Sequence, residues 1–346
     1  MYGLGGYTYE KFGSEDITEF IRSYAYYFYD WLVNDLGCMN YPETGHEIFT
    51  AELIDIGFLA GEGFGTLTVR LKNPERSYVE YGNSPEVILE LTLYDDNEAL
   101  DMTFSLPGKQ KSPFIDSGCL MVGFCPKTGL IRFNKMGHMI DIAGDIAKDA
   151  NHEIYCCESF VELCRGEENA LMICRDAPLF SVSENGTLRF APDYRKGPPL
   201  IFSNLFNNAW GTNFPQWIGG DLSFSYRFYF GVRDESGFRL ADDFMSPLTA
   251  RYSSEPGGKA PAQEGLLGSA EHLRVLALKP ANDGNGLILR IMDCAGESRT
   301  VDIRFNRRYH VCRCDIFETD SQTVAGNANT IRFRTAPYEI HTFRLS

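Results

Sequence analysis

Glu86-Val87-Ile88-Leu89-Glu90-Leu91-Thr92-Leu93-Tyr94 places an apolar residue at every odd position and sets Glu86, Glu90 and Thr92 between them. A period of two with β-branched and aromatic residues predicts a half-buried strand. Thr66-Leu67-Thr68-Val69-Arg70-Leu71 repeats the pattern upstream. Turn chemistry at Asn73-Pro74, Asp95-Asp96-Asn97 and Leu106-Pro107-Gly108 predicts antiparallel pairing through short connections. Further strands are expected over 129–133, 171–174, 188–190 and the strongly alternating 222–232. Together these predict an extended antiparallel sandwich over 41–250.

Outside this block the pattern changes in both directions. Ser14 is a helix-capping residue, and Ile17, Phe20, Ile21, Tyr24, Phe28, Trp31 and Leu32 follow at spacings of three and four up to Gly37. Residues 1–40 therefore read as a linker and one amphipathic helix, whose aromatic stripe must be buried against something larger. From Asp234 to Gly268 the pattern loosens, and Ser253-Ser254-Glu255-Pro256-Gly257-Gly258-Lys259-Ala260-Pro261 gives little to pack. Beyond that boundary, runs at 272–278, 286–292, 299–305, 311–316, 330–334 and 341–345 predict about six short strands, a small sandwich over 251–346.

The chain has 346 residues, enough for two domains with sizeable cores, and a formal net charge of -15. Such a charge repels a phosphate backbone, which argues against nucleic acid as a partner. The start, Met1-Tyr2-Gly3-Leu4-Gly5-Gly6, has no basic segment followed by an apolar stretch, and no apolar run reaches about 18 residues. A soluble, cytoplasmic protein with no membrane partner is expected. The 10 cysteines then read as reduced thiols. Cys312 and Cys314 would share one strand face, but no second pair stands at zinc-site spacing. Asn185-Gly186-Thr187 matches a glycosylation sequon and reads as a turn.

The most distinctive stretch is Phe202-Ser203-Asn204-Leu205-Phe206-Asn207-Asn208-Ala209-Trp210-Gly211-Thr212-Asn213-Phe214-Pro215-Gln216-Trp217. It resembles the Asn-x-Trp-Gly-Thr-Asn-Phe-Pro segment in the carboxy-terminal region of glycoside hydrolase family 38 α-mannosidases. Leu278-Lys279-Pro280-Ala281 with Leu287-Ile288-Leu289-Arg290, and the closing Pro337-Tyr338-Glu339-Ile340-His341-Thr342-Phe343, resemble later family segments in the same order. The opening, from Gly6-Tyr7-Thr8-Tyr9 to Trp31-Leu32-Val33-Asn34-Asp35, resembles the linker and helix of a divergent bacterial branch whose carboxy-terminal domain has no assigned role.

The resemblance implies a galactose-mutarotase-like β-supersandwich followed by a smaller terminal β-sandwich. It also implies that hydrolysis belongs to an amino-terminal α/β barrel that binds zinc through Asp and His residues. Nothing here matches that barrel, which needs about 250 residues of alternating strands and helices. The expectation is a non-catalytic, structural and substrate-side part of an α-mannosidase-like enzyme, with no cofactor of its own. Its partners would be carbohydrate and either a separate barrel chain or further copies of itself. The alternative is a stand-alone carbohydrate-binding β-sandwich module.

Tryptophan faces stack on the apolar side of a pyranose, and amides match paired sugar hydroxyls, so Trp210, Asn213 and Trp217 are the substrate-binding candidates. Against this, Trp210 can equally pack the sandwich core. Asp95-Asp96 and Asp242-Asp243 read as solvated. His138 and His152 flank Asp141, Asp145 and Asp149, a set that fits a polar loop, a metal site or, with Glu153 or Glu158, an epimerase-like acid and base.

Overall fold

The computed structural model describes residues 4–24, 42–123, 129–165, 168–211, 216–232, 235–249, 267 and 272–346. The first strand is β1 (Leu4–Lys11), followed by α1 (Ser14–Tyr24), β2 (Glu47–Thr50), β3 (Glu52–Gly61), β4 (Phe64–Lys72), the short α2 (Glu75–Val79), β5 (Glu86–Tyr94), β6 (Asn97–Lys109), β7 (Asp116–Val122) and β8 (Leu130–Lys135). Then come β9 (His138–Asp141), β10 (Tyr155–Cys156), β11 (Phe160–Arg165), β12 (Glu168–Cys174), β13 (Leu179–Val182), β14 (Ile201–Asn207), β15 (Gly220–Phe230) and α3 (Glu235–Met245). The last strands are β16 (Leu273–Pro280), β17 (Leu287–Asp293), β18 (Arg299–Cys314), β19 (Asp320–Thr335) and β20 (Ile340–Leu345). They form two compact units, Met1–Lys135 with Met139–Pro247, and Met136–His138 with Leu248–Ser346.

In the first unit a six-stranded sheet, β10-β13-β14-β7-β1-β2, faces a nine-stranded one, β3-β4-β5-β6-β15-β12-β11-β8-β9. One core joins them: Tyr7, Leu120, Phe180 and Ile201 from the first sheet pack with Leu89, Phe104, Met172, Tyr226 and Phe228 from the second. The alternation of β5 decides which side it buries, with Val87 and Leu89 inward and Glu90 outward. Each large apolar side chain buried this way contributes about 1.5–3 kcal/mol, which is why the two sheets hold face to face. The second unit is a five-stranded sheet, β16-β17-β20-β18-β19. Its 16-residue strands β18 and β19 bend through several register shifts, so that Val301, Ile303 and Phe305 close over Leu289, Ile291 and Phe343 in one core.

Several expectations change. Residues 4–11 are not linker: β1 lies between β2 and β7, with Tyr7 and Tyr9 wholly buried. The amphipathic helix is present from Ser14 to Tyr24, and its expected continuation to Gly37, with Phe28, Trp31 and Leu32, lies outside the described residues. Leu106-Pro107-Gly108 is not a turn. It continues β6, because Ser84 Oγ bonds the Pro107 carbonyl at 2.6 Å while Gly108, at φ 68°, donates its N–H to Asp221 Oδ1 at 2.8 Å. Leu188, at φ 56°, sits in a turn rather than a strand.

The loosened stretch after Asp234 contains α3, whose Ala241 and Phe244 pack on Phe160, Leu171 and Tyr229. The expected strands at 299–305 and 311–316 fall on the one strand β18, so the described residues of the terminal unit form a five-stranded sheet where about six short strands were expected. Of the two thiols in β18, Cys314 is buried and Cys312 half-exposed.

Candidate functional site

The segment that singled itself out in the sequence leaves β14 at Asn207 and is held from below. Asn208 accepts the Asp116 N–H on Oδ1 at 2.6 Å and donates Nδ2 to the Phe114 carbonyl at 2.7 Å, while its own N–H bonds the Asp116 carbonyl at 3.2 Å. Three bonds from one asparagine bind the chain to the start of β7 and satisfy a backbone that would otherwise be buried unpaired.

Beneath this anchor lies a charged pair that the sequence did not announce. Lys109 Nζ stands 3.2 Å from Asp116 Oδ2, with side chains only 2% and 1% exposed. Tyr9 donates its hydroxyl to the same Oδ2 at 2.8 Å, and the ammonium lies 4.6 Å from the Phe206 ring centre. Burial pushes the Asp116 carboxyl above the usual range, opposed by the Lys109 charge and the Tyr9 hydrogen bond. Burial, reinforced by Asp116, also raises the Tyr9 phenol, which stays a donor. A lysine in a strand carries no sequence mark of burial; only the Tyr7-Thr8-Tyr9 alternation hinted at a strand beside it.

Above the anchor, Trp210 is half-buried in an aromatic cluster. Its ring meets Phe20 edge-on at 6.1 Å and Tyr24 at 6.2 Å, and Phe20 and Tyr24 stack at 5.1 Å. Phe190 closes the group against Tyr24 at 5.8 Å. The aromatic face of α1 is thus seated on the Trp210 segment, with Ile17, Ile21, Ile115 and Leu188 underneath. Trp217 stands apart on the surface, 39% exposed beside Ile218. Asn213 lies outside the described residues. The structure therefore groups Trp210 with α1.

The other candidates have structural partners. Asp141 and Asp145 cap turns of their own loop, accepting the Ala143 and Asp141 N–H groups. His152 packs between Tyr155 and Tyr194. Asp95-Asp96 and Asp242-Asp243 are exposed. Asn185 is buried, donating to Glu10 and to Ser117 Oγ at 2.8 Å, so the sequon is a packed turn. Burial raises the Glu10 carboxyl, against the Asn185 bond and His46, whose Nε2 is 3.0 Å away. Among the described residues no group of three or more His, Cys, Asp and Glu is placed to hold a metal ion. No helix among them is long and apolar enough to cross a membrane.

Fold and geometry define a two-unit β-sandwich protein with an aromatic seat for its amino-terminal helix. In its terminal unit, residues 272–343 match the Glycosyl hydrolases family 38 C-terminal beta sandwich domain, and the chain resembles the carboxy-terminal region of that family's α-mannosidases. An α-mannosidase from Enterococcus faecalis V583 superposes over 99% of this chain and 38% of its own, with a TM-score of 0.65 at 12% identity. A second glycosyl hydrolase family 38 protein from Enterococcus faecalis does so over 99% of this chain and 40% of its own, with a TM-score of 0.65 at 13% identity. The likeness is one of fold, and this chain spans about two fifths of those proteins. A galactose mutarotase related enzyme from Lactobacillus acidophilus aligns over 51% of this chain and 71% of its own, with a TM-score of 0.29 and 13% identity, too loose to define shared topology. No curated protein matches the sequence.

Proposed function

We propose that this chain is the non-catalytic carboxy-terminal part of an α-mannosidase-like glycoside hydrolase, giving structural and substrate-side support to a zinc-binding catalytic α/β barrel. One observation carries the reading beyond the fold likeness. β3 is an edge strand exposed along all of its ten residues, with Leu53, Ile54, Ile56, Phe58 and Leu59 open to solvent and Phe64 and Leu93 beside them. A long edge without proline or basic residues is a strand that proteins normally cover, and an apolar patch of this kind marks a contact surface. In this reading the barrel, or a further copy of the chain, covers it. The eight described cysteines are all free, which suits a cytoplasmic, reducing setting.

The test is to assay aryl α-mannosides with the chain alone and with a barrel-bearing chain encoded beside it. We expect no turnover from the chain alone, zinc added or not, and a stable complex with zinc-dependent turnover when the two are combined. Turnover by the chain alone, or a barrel that neither binds it nor changes in its presence, overturns the proposal. The exposed Trp217 favours a second reading, a stand-alone carbohydrate-binding module in which its ring stacks on a sugar. Mannose affinity that disappears in Trp217→Ala, without any partner chain, selects that reading.

A further inference from the structure

β18 carries a thiol and an imidazole that the sugar chemistry does not use. Cys312 Sγ lies 3.4 Å from His310 Nε2, with Thr323 Oγ1 at 3.9 Å on the neighbouring strand. His310 is exposed and Cys312 half-exposed, so a reagent reaches both. The other described thiols stand differently. Cys119 is wholly buried, and Cys156, Cys157, Cys174, Cys294 and Cys314 donate to carbonyl oxygens. Burial pushes the Cys164 thiol up to about 11, with the Glu162 carboxylate adding to the effect.

The pair is built rather than incidental to two side chains in loose contact. Register shifts fall at Tyr309/Val311 and at Val311/Cys312, so His310 sits where β18 bulges. Bulges re-aim side chains. The His310 backbone is pinned there by both hydrogen bonds to Ser346, at 2.8 and 3.0 Å. Cys312 is fixed in the ladder from both sides, opposite Thr323 on β19 and Arg344 on β20.

We propose that Cys312 is a nucleophilic thiol, with His310 as its proton acceptor, and that it is a site of reversible S-thiolation by low-molecular-weight disulfides. Nε2 takes the thiol proton, and the thiolate attacks one sulfur of the disulfide. The Cys312–sulfur bond forms as the reagent's own sulfur–sulfur bond breaks, and the departing thiolate recovers the proton from the imidazolium. A reducing thiol reverses the exchange, and no metal or external oxidant beyond the disulfide is needed.

The folded full chain is incubated with oxidised glutathione between pH 6 and 9, and adducts are mapped and timed by peptide mass spectrometry. Cys312 should be modified faster than the half-buried Cys156, Cys164 and Cys294. In His310→Asn its rate at neutral pH should fall about tenfold or more, while the rates of Cys156, Cys164 and Cys294 stay as they are. The comparison among thiols of the unaltered protein needs no variant, so misfolding cannot obscure it. A Cys312 rate no higher than those of the other half-buried thiols, or one unchanged in a folded His310→Asn variant, overturns the proposal.

Discussion

Trp210 meets Phe20 edge-on, with ring centres 6.1 Å apart and planes at 76°, and through it the first helix is tied to the loop after β14. Trp210→Ala removes the indole from Phe20 and Tyr24 together and should destabilise the first unit by about 2 to 3 kcal/mol, less than the about 3 to 5 for a wholly buried tryptophan because one side is open. Calorimetry checks it. A variant that melts with the parent but loses mannose binding shows that the ring is a sugar platform instead.

His341 supplies a pH dependence in the terminal unit. Arg313 donates to its Nδ1 at 2.6 Å, so Nε2 carries the proton and donates to Thr335 Oγ1 at 2.9 Å. Burial holds the ring below the ordinary histidine value of 6.5; Glu339 opposes this, and the Arg313 charge adds to it. A base with a depressed folded pKa stabilises the fold above its unfolded value and loses that contribution as pH falls through the folded one. Stability of β17 to β20 should therefore drop below about pH 6.5. Hydrogen exchange of these strands at pH 7.5 and 5.5 measures it, and His341→Asn should flatten the difference. Equal protection at both values in the parent chain refutes the assignment.

The strands legible in the sequence were those whose alternation is complete. β5 runs from Glu86 to Tyr94, as its pattern predicts, because one face meets the core and the other does not. β1 was hidden because Gly5 and Gly6 blank the first half of its alternation, leaving only Tyr7 and Tyr9 to carry it. α3 is 11 residues long, with Gly237 and two adjacent aspartates weakening its helical period, and its amphipathic face acquires meaning only against Phe160 and Tyr229. In β18, residues 306–310 fell between two expected strands, whereas register shifts carry the strand through them.

The same limit applies to the site. Residue type marked Trp210 as a ring to be placed, but its neighbour Phe20 lies on a helix near the other end of the chain. Such a pairing is a property of topology. The Lys109–Asp116 pair was invisible for a related reason, since it forms only where the end of β6, in one sheet, meets the start of β7, in the other.

The β3 edge makes a separate prediction. Ile54→Lys with Leu59→Lys puts two gatekeeping charges on a strand already exposed on both faces. Thermal stability should change by no more than about 0.5 kcal/mol per site, as for ordinary surface substitutions. Binding of an apolar dye and association with a barrel chain or with further copies should fall. Sedimentation over a concentration series, with and without the barrel chain, provides the readout. Unchanged association would place the contact surface elsewhere.

The buried pair beneath the Trp210 anchor gives the sharpest test of what holds the first unit together. Asp116→Ala leaves the Lys109 ammonium in the interior with the Gln110 carbonyl at 3.2 Å and the Phe206 ring, but no counter-charge, and should cost about 3–5 kcal/mol. Removing both charges in Lys109→Met with Asp116→Leu avoids that penalty, and apolar replacement of a buried pair is often neutral or stabilising by about 1–4 kcal/mol. Tyr9 tolerates the exchange because its hydroxyl also reaches the Tyr81 carbonyl at 2.8 Å. Trp210 and Trp217 belong to the first unit, so urea unfolding followed by tryptophan fluorescence reports on this unit through them. The midpoint should fall steeply in Asp116→Ala and recover most of the loss in the double variant. If the double variant is as unstable as the single one, desolvation of Lys109 is not what the pair offsets, and the hydrogen bond from Tyr9 to Asp116 must be the larger contribution.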